Sequence, residues 1–291
     1  MKIILFSRKS IALRAEDIDK IFGAIERYGF AYAINREFAE NIEEHNLRTI
    51  PTEFIYDGAI GTQPEESVMV CYGGDGTLLE GVHRLNGSDI PVVGINGGHL
   101  GFLALAPREK IAEVFDDIAT RNLNLEVRDM LCVEGIFEDN ATKLYALNEV
   151  SIQRLGATMI SIEARIDNNS VSTYNGDGVI LSTPTGSTAY SLSAGGPIVA
   201  PSCRSFLLTP LAPHNLTMRP IVMPDSSIVE LVINTRNNEA LISADNRTFK
   251  IANNTLLTIK KAKRYIRLAV PHNISFFDSL RNKMMWGVDI R

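Results

Sequence analysis

The chain has 291 residues, 45% of them hydrophobic and 22% charged, with a net charge of −5. That length suits two domains with separate cores. The acidic balance excludes a basic footprint for nucleic acid, and no apolar run approaches the roughly 18 residues of a membrane span. Three cysteines, Cys71, Cys132 and Cys203, lie far apart and are odd in number, so neither a disulfide framework nor a thiolate metal site is indicated. The short apolar start reads as a first strand rather than a leader, and the chain as cytoplasmic.

From residue 2 to about residue 108 strands and helices alternate. After the first strand, Ile18, Ile21, Phe22 and Ile25 recur at helical spacing, and Gly29 closes that helix before an apolar run at 30–34. The run 68–72 reads as a buried strand and 78–85 as a helix. Between them stands Gly73-Gly74-Asp75-Gly76-Thr77. A further strand at 91–95 leads into a second glycine stretch, 96–103, and a helix is predicted near 108–119. Continuous apolar strands separated by helices imply a parallel sheet covered on both faces, with ligands at the carboxyl ends of its strands.

Beyond about residue 120 the period changes to two. Ile160, Ile162, Ala164 and Ile166 alternate with Ser161, Glu163 and Arg165, the mark of a strand with one buried face. Runs at 127–136, 228–233, 256–259 and 266–270 add short strands, and the basic cluster 260–264 reads as a solvated turn between the last two. The second domain is therefore β-rich, of layered sheets. Phe276, Phe277, Leu280 and Trp286 suggest a short helix and tail packing back on the first domain.

Glycines at a strand-to-helix turn let a ligand approach the backbone, and the free N–H groups of the helix start favour a phosphate. An aspartate there repels phosphate unless a cation intervenes, or unless it takes a proton from a hydroxyl beside that phosphate. Phosphoryl transfer with Asp75 facing the acceptor hydroxyl follows; the same five residues also fit an ordinary glycine-rich turn. The stretch 183–196 packs hydroxyls, small residues and glycines around Tyr190. It suits a planar ring such as adenine, or a loop held by its own side-chain to backbone bonds. Asn148-Glu149 can hold ribose hydroxyls or cap a strand end. Asn175-Gly176 signals a hairpin turn that leaves Asp177 free. A Gly-x-Ser-x-Gly elbow and a P-loop are both absent.

Taken together, Gly73 to Thr77, the 96–103 stretch, Asn148-Glu149, Asp177-Gly178 and Thr183 to Tyr190 resemble the NAD kinase family, which makes NADP from NAD, in order and approximate spacing over the whole chain. The glycine-aspartate pentapeptide is shared with diacylglycerol, sphingosine and phosphofructokinases, whereas Thr-Pro-Thr-Gly-Ser-Thr-Ala-Tyr with the Asn-Glu pair looks specific. The resemblance implies an α/β plus all-β architecture. A Rossmann-like domain over 1–120, rejoined by about 271–291, precedes a β-rich NAD-binding domain over 121–270, with the site in the crevice between them.

It also implies roles by position. Asp75 resembles the essential aspartate approaching the 2′-hydroxyl of the adenosine ribose, with Gly76 beside it against NAD. Asn148 and Glu149 look like the pair on ribose and adenine edges, and Thr188, Ala189, Tyr190 and Ser193 like the wall around adenine. Asn175, Asp177 and Ala212 look like the nicotinamide end, reached in related enzymes across a subunit interface. Gly73, Gly74, Thr77, Gly97 and Gly98 would cradle the donor phosphates. Mg2+ would be carried by those phosphates with no direct protein ligand assigned, ATP and NAD would be the substrates, and the chain would assemble as a homodimer or homotetramer.

Two departures stand out: Asn175 where some members place a basic residue, and Asn246-Arg247 after Asp245 where many place Gly or Ser and then Gln or His. Rival functions are a lipid kinase sharing the glycine-aspartate turn, disfavoured by the missing basic amphipathic helix, and a non-catalytic dinucleotide-binding module, disfavoured by the charge of Asp75. A dehydrogenase would show Gly-x-Gly-x-x-Gly after the first strand, where Ser7-Arg8-Lys9-Ser10 stands.

Overall fold

A computed structural model describes residues 1–61, 63–98, 101–138, 141–272 and 274–285, so the parts assigned above to His99, Leu100 and Trp286 lie outside the described residues. Contacts divide the chain into two units, Met1–Val127 with the segment from Ile266 onward, and Arg128–Tyr265.

In the first unit, elements alternate: β1 (Lys2–Phe6), α1 (Ala15–Tyr28), β2 (Ala31–Asn35), α2 (Arg36–Glu44), β3 (Ile55–Tyr56), β4 (Ser67–Tyr72), α3 (Asp75–Arg84), β5 (Val92–Asn96), β6 (Ala106–Pro107) and α4 (Ile111–Ala119). The strands pair in parallel in the order β3-β2-β1-β4-β5-β6. Every residue of β4 and β5 is buried, which is why these runs are continuously apolar instead of alternating. Ile18, Ile21, Phe22 and Ile25 of α1 pack into this core, and Gly29 ends the helix at φ 64°. Strand order reverses at β1, with β2 and β3 on one side and β4 and β5 on the other. The carboxyl ends of strands beside such a reversal are where open α/β sheets take ligands. The 73–77 turn leaves β4 there, and the loop beginning at Gly97 leaves β5.

The second unit is built from β7 (Asn124–Glu134), β8 (Lys143–Ala146), β9 (Glu149–Arg154), β10 (Ile160–Ile166), β11 (Asn169–Gly176), β12 (Gly178–Ser182), α5 (Tyr190–Ser193), β13 (Ser205–Leu211), β14 (Ile221–Pro224), β15 (Val229–Asn234), β16 (Glu239–Ala244), β17 (Arg247–Ala252) and the first part of β18 (Leu256–Val270). One antiparallel sheet runs β14-β13-β12-β9-β16-β17. Strands β11, β10, β15 and β18 form a second antiparallel array, in which β7 pairs with β18 and β8. Alternate residues of both layers, among them Ile152, Val179 and Ile242 against Ile162, Leu231 and Leu257, share one core. The period of two in the sequence is that alternation.

One strand differs from expectation. The 260–264 cluster is no turn: β18 runs unbroken through it for 15 residues. Ala262 faces inward, while Lys260 pairs with Glu134 at 2.9 Å and Lys261 with Asp129 and Asp225, each at 2.6 Å. The Arg264 guanidinium sits 4.2 Å from the centroid of the Tyr145 ring. Cations matched by neighbouring strands can stay in a strand, and charge density alone mimics a turn. The end of β18 pairs Leu268 and Ala269 with Val92 and Val93 of β5, and the helix α6 (Phe276–Met284) follows.

Candidate active site

In the first unit the site centres on Asp75, the first residue of α3. Gly74 is its N-cap; its carbonyl takes the Thr77 N–H at 2.9 Å, and no side chain caps the Asp75 and Gly76 N–H groups at the positive end of the helix. Gly73 has φ 147°, and a Cβ there would meet Thr77 Oγ1 at 2.5 Å. Thr77 is buried beneath the turn. The Asp75 carboxylate turns toward the loop after β5. Its Oδ1 accepts from the N–H groups of Leu103 (3.0 Å) and Ala104 (2.9 Å), and its Oδ2 from that of Phe102 (2.8 Å). A Cβ at Gly101 would lie 1.9 Å from Oδ1, so this close approach requires glycine.

Two arginines brace the turns. Arg8, after β1, donates to the Gly76 carbonyl at 2.5 Å and pairs with Glu80 at 2.7 Å. Arg108 donates to the Gly97 carbonyl at 2.8 Å. Asn96 holds the second glycine turn by accepting from the Gly98 N–H at 2.8 Å, which leaves Gly98 exposed.

In the second unit Asn148 and Glu149 stand where β9 begins, and both are buried. Asp245, at φ 52°, reaches them from the end of β16, and its carboxylate accepts from the N–H groups of Leu147 (2.9 Å), Asn148 (2.8 Å) and Glu149 (3.3 Å). Thr183 closes the other side, donating its hydroxyl to the Leu147 carbonyl at 2.6 Å. Asn148 Oδ1 and Glu149 Oε2 are nonetheless buried without a hydrogen-bond partner among the described residues. Such atoms cost about 1–3 kcal/mol each when left unpaired.

The 183–196 stretch divides by burial. Thr183, Ser187 and Ser191 face inward: Ser187 exchanges hydrogen bonds with the Val199 backbone (3.0 and 3.1 Å), and Ser191 bonds the Thr209 hydroxyl (3.0 Å). Thr188, Ala189, Tyr190 and Ser193 face outward. The Tyr190 N–H donates to the Glu149 carboxylate, which joins α5 to the Asn148-Glu149 pair. The inward residues are held by local side-chain bonds, as one reading of this stretch expects.

Asn175, Asp177 and Ala212 form a separate corner at the other end of β12. Asp177 N–H donates to the Leu211 carbonyl (3.0 Å), and the His214 N–H to that of Asn175 (2.8 Å). Asn175-Gly176 is not a hairpin turn: β11 runs through Gly176 and β12 starts at Gly178. Gly176 is there because a Cβ would meet the Ala212 carbonyl at 2.6 Å. Since β12 pairs Ser182 with Glu149 and Gly178 with Gln153, its length of about 13 Å separates the two groups.

Two family models cover most of the chain: the ATP-NAD kinase N-terminal domain matches residues 32–123 and the ATP-NAD kinase C-terminal domain matches 147–270. The chain belongs to the ATP-NAD kinase family. It is therefore a phosphotransferase of the kinase type. A protein of Porphyromonas gingivalis named NAD kinase is 36% identical over 293 residues, covering 100% of this chain and 99% of that one. Another of that name from Bacteroides fragilis is 35% identical over 295 residues, covering 100% of both. Among solved structures, yeast NADH kinase complexed with NADH matches with a TM-score of 0.86 at 24% identity, over 100% of this chain and 89% of that one. An NAD kinase from Archaeoglobus fulgidus in complex with ATP matches with a TM-score of 0.69 at 23% identity, over 99% and 98%. At those identities the two structures speak for the fold alone. The family models and named relatives favour neither a lipid kinase nor a binding module.

Several residues at these corners are invisible to motif reading. Arg154 pairs with Asp177 at 2.5 Å, so a cation stands at this corner although Asn175 is neutral. Gly101 and Asp245 each act on a residue 26 or more positions away, and only their glycine or acidic character hints at it.

Burial pushes the Glu149 carboxyl up to about 8, reinforced by the neighbouring Asp245 carboxylate and opposed by the Tyr190 N–H. Burial raises Asp245 as well, opposed by three N–H donors and by Arg247. A protonated Glu149 donates a hydrogen bond as well as accepting. Its ordinary value is 4.5. Between that value and 8 the folded chain holds a proton that the unfolded chain has lost. The stabilisation tied to this carboxyl is thus complete below about 4.5 and drains away as pH rises through 8. Glu149→Gln is expected to flatten that slope, gaining several kcal/mol, in order of magnitude, on wild type between pH 5 and 8.5. Denaturant unfolding of both proteins at the two pH values measures it, and parallel pH curves would contradict the assignment.

Proposed function

We propose that the chain transfers the terminal phosphoryl group of ATP to the 2′-hydroxyl of the adenosine ribose of NAD, giving NADP and ADP. The observation that carries this is the Asp75 carboxylate: an acceptor-only group at the first turn of α3, between two glycine turns, tied by three N–H donors to the loop after β5. Two bonds fill Oδ1, while Oδ2 takes one and keeps a lone-pair site for a hydroxyl proton. As the ribose oxygen bonds to the terminal phosphorus, its O–H bond breaks and the proton passes to Oδ2 and then to solvent. The bridging P–O bond breaks, and its electron pair leaves on ADP.

Such a transfer asks for positioning and charge balance more than covalent help. Gly73, Gly74, Gly97 and Gly98, lacking side chains, let the donor phosphates come close to the backbone, Thr77 supports the turn from below, and Gly76 lies against NAD. Asn148 and Glu149 hold ribose and adenine edges with the two atoms that lack protein partners, and Thr188, Ala189, Tyr190 and Ser193 wall the adenine. Asn175, Asp177 and Ala212 serve the nicotinamide end.

Among the described residues no group of three or more His, Cys, Asp or Glu side chains could hold a metal; in this proposal Mg2+ is carried by donor oxygens and water. When bound, that ion neutralises phosphate charge. No helix of the described residues is long and apolar enough to cross a membrane. A cytoplasmic location and a homodimeric or homotetrameric assembly belong to the same proposal.

Purified protein incubated with Mg2+, NAD or NADH, and ATP or polyphosphate tests it, with product read by a strictly NADP-specific dehydrogenase. NADP is expected from NAD and ATP. No product in any combination would overturn the function.

A further inference from the structure

The helix α6 brings a cation to Asp75. Ser275 caps it, its hydroxyl accepting from the Asp278 N–H (3.1 Å) while its own N–H donates to the Asp278 carboxylate (2.9 Å), so the helix start is fixed. Leu280 and Ser279 are buried. Phe276 packs on Phe102, with ring centroids 6.1 Å apart. Lys283 lies seven residues on, two turns along the same face. Its Nζ stands 4.7 Å from the centroid of that same Phe102 ring and 3.6 Å from Asp75 Oδ2. The Phe102 N–H in turn donates to Oδ2. Both contacts of α6 thus converge on the residue that holds the carboxylate, and on the carboxylate itself.

The position of the ammonium is specific. Oδ2 is the oxygen with a lone pair to spare, and 3.6 Å is ion-pair range but outside hydrogen-bond range. Lys283 therefore balances the charge without taking the site a hydroxyl proton needs. Arg8 and Arg108 answer other carboxylates, Glu80 at 2.7 Å and Glu109 at 3.3 Å.

Resting on the NAD kinase function above, we propose that Lys283 is a positioning residue acting through Asp75: it offsets the carboxylate charge so that donor phosphates can lie beside it, and keeps Oδ2 aimed at the acceptor hydroxyl. A mere packing role is the alternative. Methionine separates the two, since it keeps the stem on the Phe102 ring and removes only the charge.

Lys283→Met is expected to lower kcat/KM for ATP about 10- to 100-fold, with the Kd for NAD and the Tm near wild type and with most activity recovered in Lys283→Arg. In an Asp75→Asn background no carboxylate remains to balance, so adding Lys283→Met is expected to leave the Kd for ATP unchanged. The proposal is overturned if Lys283→Met stays within about two-fold of wild type. It is also overturned if Lys283→Arg is as impaired as Lys283→Met, or if Lys283→Met weakens ATP binding equally with and without the Asp75 carboxylate. Wild-type protein that forms no NADP would instead overturn the kinase function, and the ATP-binding comparison would still judge Lys283.

Discussion

Replacing Asp75 with asparagine is expected to cut kcat for NADP formation by about 10²- to 10⁴-fold while the Kd for NAD stays within a few-fold of wild type. Asparagine has nearly the same shape, so the α3 turn and the second unit are left alone. Its amide, however, offers one acceptor atom. That oxygen can still take the Leu103 and Ala104 N–H groups, which leaves the amide nitrogen facing the Phe102 N–H, donor to donor, at the oxygen position that should receive the ribose proton. The unpaired N–H costs about 1–3 kcal/mol of stability, visible as a lowered Tm but too small to unfold a domain of this size. Steady-state kinetics beside an equilibrium titration with NAD separates the chemical loss from loss of binding. A variant turning over at the wild-type rate would remove Asp75 from the reaction.

Gly186→Ala is expected to have the second largest effect, through the fold and NAD binding together. An alanine Cβ would lie 2.1 Å from the Asn148 carbonyl oxygen, 2.4 Å from its carbon and 2.6 Å from the Asn148 Cα. All three are backbone atoms of the turn that presents Asn148 and Glu149, so no rotamer change relieves the clash. Either the short helical turn after Thr183 or the start of β9 must move, breaking the bonds from Thr183 to Leu147 and Asn148. About 3 kcal/mol or more of lost stability follows, at the upper end for overpacked sites. NAD affinity should fall by more than about ten-fold, because the two unpartnered polar atoms shift away from their ligand. Thermal melts and NAD titration measure the two losses. An alanine variant with wild-type Tm and NAD affinity would show that this turn is not what holds the dinucleotide.

What could be read from the sequence was local. The apolar runs of β4 and β5, the glycine turn before α3 and the alternation in β10 are short-range patterns that the backbone obeys directly. The residues that finish the site come from far along the chain. Asp245 reaches the Asn148 N–H across 97 positions, Phe102 and Lys283 meet Asp75 from separate segments, and Arg154 answers Asp177 across paired strands. No spacing rule announces such partners, because tertiary packing alone brings them together.

The two misreadings have the same origin. Asn175-Gly176 carries a turn signal, but its glycine answers to the Ala212 backbone. The 260–264 cluster looks solvated until Glu134, Asp129 and Asp225 arrive from neighbouring segments. The raised pKa of Glu149 is equally hidden in the sequence, since it depends on burial and on Asp245.

The most direct measurement follows the phosphoryl group itself. Wild-type protein given NAD and ATP labelled in its terminal phosphate is expected to yield one ADP per NADP, with all product label on the 2′-oxygen of the adenosine ribose. Label at any other oxygen, or ADP formed with label released only as inorganic phosphate, would contradict the transfer assigned to Asp75 and its glycine turns.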